Sequence, residues 1–96
     1  MTTKTLTING TEITKGSAIT IYNGEKVVRR TLTVTHVEDC GSRFYVTAKT
    51  SNGTRVWMSV KDGNKLLAKR FSSERKTNGY RKTQRTAHRA THITAA

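Results

Sequence analysis

The chain has 96 residues, with 18 Lys+Arg against six Asp+Glu, for a formal net charge of +12. That length supports one small domain with a modest core, and a hydrophobic content of 33% falls below the ~45–50% usual for globular chains. No apolar run approaches the ~20 residues of a membrane span, no secretory h-region follows Met1, and one cysteine excludes an internal disulfide; the expectation is a basic, soluble, cytoplasmic protein without a membrane partner.

From Leu6 onward the apolar residues recur at every second position. Leu6 and Ile8 alternate with Thr5 and Thr7, and Ile19 and Ile21 follow. Leu32 and Val34 are interleaved with Thr31, Thr33 and Thr35; then come Phe44, Val46 and Ala48, and after them Val56, Met58 and Val60. Period two marks half-buried strands, and the branched Cβ of threonine suits a pleated surface. Asn9-Gly10, Asn23-Gly24, Asn52-Gly53 and Asp62-Gly63 fall between these runs, where tight turns need positive φ. Asn9-Gly10-Thr11 and Asn52-Gly53-Thr54 also match a glycosylation pattern, and both are read as turns. The expected fold is all-β: five or six short antiparallel strands, closed as a small barrel that leaves few open edges.

Val27-Val28-Arg29-Arg30 interrupts the alternation and reads as a loop that offers Arg29 and Arg30 to phosphate. The stretch from Arg43 to Lys61 can be registered as a hairpin. A three-residue loop, Ser51-Asn52-Gly53, places Ala48 opposite Val56, Val46 opposite Met58 and Phe44 opposite Val60. Gly53 then takes the left-handed position beside the bulge. The other face shows Arg43, Tyr45, Thr47 and Lys49 beside Arg55, Trp57, Ser59 and Lys61, with Lys49 opposite Arg55. Two rings framed by four cations form a nucleic-acid platform if exposed, since rings stack bases while Lys and Arg hold phosphates. Covered by the N-terminal hairpin or by Phe71, the same rings would instead form a second side of the core.

Lys65–Phe71 suits neither period cleanly and reads as a closing strand or 3₁₀ turn. Beyond Phe71, only Tyr80 and Ile93 are large and apolar. Residues 72–96 are therefore read as a flexible basic tail following a domain at 1–71. Arg75, Lys76, Arg81, Lys82, Arg85 and Arg89 are its phosphate-binding candidates, with Lys69 and Arg70 leading into it. Residues 69–96 carry +7 of the excess charge and residues 1–68 carry +5.

The segment Gly16-Ser17-Ala18-Ile19-Thr20-Ile21, a connecting loop, and three consecutive strands ending in Val56-Trp57-Met58 resemble SH3-like barrels of the KOW and Tudor kind. The resemblance spans residues 13–70 and leaves the strand at Leu6–Ile8 outside it. It implies a small module that binds RNA, DNA or nucleic-acid-associated proteins. Size, threonine richness and the basic extension are also similar to bacteriophage accessory proteins, whose setting is the host cytoplasm.

Catalytic chemistry finds no support in the pattern. Glu38 and Asp39 are adjacent, so on a strand they point to opposite faces, and no phosphate-cradling glycine motif occurs. His36, Cys40, His88 and His92 have metal-ligating side chains, but their spacing does not suit a zinc site. Neither an enzyme, a metal nor a cofactor is expected. His36 is placed on the inner face near Phe44. The leading expectation is largely sequence-independent binding of DNA or RNA through the basic and aromatic sheet face and the tail. The alternatives are an inhibitor or adaptor bound to a host protein, such as a polymerase or defence complex, and an RNA-associated structural protein.

Overall fold

The computed structural model describes residues 5–61, 63, 66, 70–76 and 83–95, and among them it contains strands and no helix. A short hairpin pairs β1 (Leu6–Ile8) with β2 (Thr11–Ile13). The remaining strands are β3 (Ala18–Asn23), β4 (Lys26–Asp39), β5 (Phe44–Lys49), β6 (Arg55–Val60), β7 (Arg70–Lys76), β8 (Thr83–Arg89) and β9 (His92–Ala95). They form one antiparallel sheet in the order β8-β7-β6-β5-β4-β3-β9.

Alternation along β3 to β6 drives the core. Ile19, Ile21, Leu32, Val34, Phe44, Val46, Ala48, Val56, Met58 and Val60 are all buried. The β5–β6 register is the one expected from the sequence, with Phe44, Val46 and Ala48 opposite Val60, Met58 and Val56. Its loop is also as expected. Thr50 N–H donates to Thr54 O at 2.9 Å, and Gly53 turns at φ +90°. The Thr54 hydroxyl donates to Asn52 Oδ1 at 3.0 Å, which ties the loop to its own strand end.

The sheet is curled, and chain connectivity requires it. β8 and β9 lie at opposite edges, yet only Ala90 and Thr91 separate them in sequence. Three backbone steps reach at most about 11 Å. A flat seven-stranded sheet would hold its edge strands roughly 29 Å apart at about 4.8 Å per strand. The inward faces therefore wrap around one core, which β9 completes by placing buried Ile93 in register with Ile21. The β1–β2 hairpin adds Leu6, Ile8 and Ile13 to that core. It is fastened by Asn9 N–H donating to Gly63 O and Gly63 N–H donating to Thr7 O.

Two expectations need correction. Val27–Arg30 is not a loop but the first part of the 14-residue β4, in register with β3. A bulge near Thr31, whose φ is +27°, breaks the alternation there. Where the sequence reading places a flexible tail from residue 72, the described residues other than Ala90 and Thr91 lie in strands, and the expected boundary falls inside β7. Backbone pairing with β6 and β3 holds this part, and Phe71, Ser73, Ala90 and Ile93 are buried within it. Lys69, Arg81 and Lys82 lie outside the described residues.

Docking of β9 is open to measurement. Ile93→Ala should lower the unfolding free energy by about 2–5 kcal/mol in urea denaturation, whereas Arg30→Ala, at an exposed position, should leave it nearly unchanged. Equal stability of the two variants would contradict the packing of Ile93.

Candidate nucleic-acid interface

Register fixes which side chains share the outer face. One row across the sheet runs Thr33, Lys49, Arg55, Glu74, Arg85. The next runs His36, Thr47, Trp57, Ser72, Ala87. A third holds Glu38, Tyr45 and Ser59, and toward the same end Arg70 faces Arg89. Tyr45 and Trp57 are thus diagonal neighbours on adjacent strands, within reach of one another.

A groove of about 680 Å³ opens on this face, with both rings in its lining. Residue size explains it. Beside Trp57 the row continues with Ser72 and Ala87, which fill little space, while Arg70 and Arg85 rise to either side of them. Trp57 is half-buried and Tyr45 is 36% exposed. Phe71 does not cover them. It alternates with Ser72 onto the opposite face, where it is 1% exposed in the core.

The electrostatics are one-sided. Arg43, Lys49, Arg55, Lys61, Arg70, Arg85 and Arg89 are exposed along or beside this face, whose acids among the described residues are Glu38 and Glu74. Lys49 opposite Arg55 and Arg70 opposite Arg89 are like-charge pairs, which weaken a sheet slightly. Glu74 occupies the place between Arg55 and Arg85, and its Oε2 accepts from Arg85 Nε at 3.2 Å. The Glu74 side chain is 14% exposed and that of Arg85 80%, so the acid lies low while the guanidinium reaches solvent.

Other expected site residues lie elsewhere. Arg75 alternates with Glu74 and so takes the opposite face of β7, while Lys76 ends that strand. Arg29 is in register with core-facing Ile21 and is half-buried, close enough for its charge to act on His88. Arg30 is exposed next to the bulge. Neither belongs to the rows around Trp57. Conversely, Ser72 and Ala87 were not anticipated, nor was the pairing of Arg85 with Glu74. The alternation Arg70-Ser72-Glu74 against Phe71-Ser73 was the available signal, but with a single apolar residue it carried no hydrophobic period.

The histidines occupy three separate environments. His36 is a further correction: a bulge between Val34 and His36 turns it to the exposed outer face opposite Thr47, and Val37 takes the inner place opposite Val46. His88 stacks on Phe71 at 4.9 Å, with Nε2 2.8 Å from Ser73 Oγ. His92 stacks on Tyr22 at 5.1 Å, with Nδ1 2.9 Å from Thr91 Oγ1. Cys40 is exposed. Among the described residues no three His, Cys, Asp or Glu side chains come together as a metal site.

No family model, curated protein or solved structure matches this chain. Function is therefore to be sought in the chemistry of the face itself.

Burial, and then the positive charge of Arg29, hold the His88 pKa below 6.5. The fold thus favours the neutral imidazole, and below pH 6.5 the unfolded chain binds the proton more readily. Stability should be fully present above that pH and decline as pH falls below it toward the lowered pKa of the folded state. His88→Gln should flatten the dependence in this window, as followed by urea midpoints at constant ionic strength.

Proposed function

We propose that this chain is a nucleic-acid-binding module acting through the outer face of β5 to β8. The observation that carries the reading is the placement of Trp57 and Tyr45 in a groove whose borders are arginines. Cations there neutralise phosphates and release counterions, which supplies affinity without regard to sequence. Rings add stacking, to which every base is suited. With strands in place of a recognition helix among the described residues, base readout in a major groove has no evident instrument. DNA and RNA both fit this chemistry. The consecutive antiparallel strands β3 to β6 support an SH3-like reading of that part of the chain, with β7 to β9 extending it.

Equilibrium binding to random single- and double-stranded DNA and RNA, over a series of salt concentrations, tests the reading. Affinity should fall steeply and linearly on logarithmic axes. The double substitution Lys49→Ala/Arg55→Ala should reduce the slope by roughly 0.7–0.9 for each phosphate that is no longer neutralised, while Arg75→Ala, on the opposite face, should retain it. Failure of the full chain to bind any of the four at low salt would refute the proposal.

A further inference from the structure

We infer that the groove accepts single-stranded rather than duplex nucleic acid, an inference that rests on the nucleic-acid reading above. Two adjacent nucleotides lie in it, one base on Trp57 and the other on Tyr45.

The register of the two aromatic positions points this way first. Tyr45 is paired with Ser59 and Trp57 with Thr47, so the two aromatics are diagonal across β5 and β6. Diagonal positions stand about 7–8 Å apart, against the ~3.4 Å between successive stacked bases of a duplex strand. Bases that meet both rings are consequently unstacked from one another. In a duplex the interior base faces are occupied by neighbours, and only edges line the grooves.

Depth points the same way. Trp57 is half-buried, and the groove in front of it runs over Ser72 and Ala87 between Arg70 and Arg85. On β8, Arg85 and Arg89 are four residues apart on one side of the strand, about 13 Å at the usual rise. A duplex resting on those arginines makes its phosphate contacts at the rim and leaves the indole unreached. A single strand can lower its bases between them.

Hydrogen-bonding geometry completes the case. Arg85 uses Nε on Glu74, which leaves both Nη nitrogens of its guanidinium for a phosphate. Arg70 and Arg89 supply the second charged border. Phosphates on either side of the paired nucleotides are met at both ends, and the hydroxyls of Ser59 and Ser72 lie among the groove residues as donors or acceptors for base edges of any identity. The ligand is accordingly a single strand with weak base preference.

Trp57 is the single tryptophan of the chain, so its emission reports directly on the groove. The full chain is titrated at one salt concentration with short oligo(dT) and oligo(rU), with a blunt duplex of equal phosphate number, and with inorganic polyphosphate. Single strands should quench Trp57 and bind at least about fivefold more tightly than the duplex, whereas polyphosphate should bind without quenching. Tyr45→Ala should weaken single-strand binding about fivefold or more and leave duplex and polyphosphate affinity unchanged. Trp57→Phe, which retains a ring, serves as a second variant, with the urea midpoint of each confirming the fold. Equal affinity for single strand and duplex, or single-strand binding that leaves both Trp57 emission and the Tyr45→Ala affinity unchanged, overturns the inference while nucleic-acid binding itself stands. Absence of binding to every nucleic acid removes the underlying reading instead.

Discussion

The passage from β8 to β9 through Ala90 and Thr91 governs the shape of this protein. Thr91 is held from three sides. Its N–H donates to Tyr22 O at 2.8 Å, its hydroxyl accepts from Gly24 N–H at 2.8 Å, and its carbonyl accepts from Leu66 N–H at 3.2 Å. These bonds fasten the corner to the β3–β4 turn and to the segment after β6. With the corner fixed, β9 has its place beside β3, and a chain that has just run along one sheet edge continues along the other. Curling follows, and with it the enclosure of a core that a flat sheet of these short strands could not form.

Enclosure in turn determines what stands outside. The inward positions of β5 and β6 are filled by Phe44, Val46, Ala48, Val56, Met58 and Val60, so Tyr45 and Trp57 have the opposite parity and cannot join them. They are retained on the outer face by register. β7 and β8 then extend that face beyond the hairpin with small and cationic residues. The groove is thus a product of the hairpin and these two strands together, and neither pair could form it alone.

The central hairpin was legible because turn chemistry and alternation agree on one register, and a slip by one residue would expose Val46 and Met58 while burying Lys49 and Arg55. The pairing of Lys49 with Arg55 and the diagonal of the two rings followed directly. β7 and β8 were not legible. Their inward residues include Phe71, Ser73 and His88, and polarity there is tolerated because Ser73 and His88 satisfy each other at 2.8 Å. No hydrophobic period records such an arrangement. The bulges before Leu32 and His36 were equally silent, since one inserted residue reverses inward and outward without changing composition. Arg85 therefore reads as part of a tail and Arg70 as the lead into it, although both border the same groove as Trp57.

The distribution of charge on the groove is uneven, and the fold accounts for it. Lys49, Arg55 and Arg85 share one row, where three cations alone would repel across adjacent strands; Glu74 stands between the two arginines and relieves this. Being largely shielded, the carboxylate acts mainly on its neighbours, while the exposed guanidinium of Arg85 still faces solvent. At the other end Arg70 and Arg89 are opposite one another, and β7 offers no acid beyond Glu74 among its described side chains. Repulsion there is carried by backbone pairing along β7 and β8 and by the burial of Phe71 beneath it. A like-charge pair contributes nothing to folding. Its energetic use lies in the potential it projects over the groove, which a polyanion lowers by binding. The same side chains therefore oppose the fold and favour the ligand, and Glu74 sets how far the first effect is moderated without removing the second.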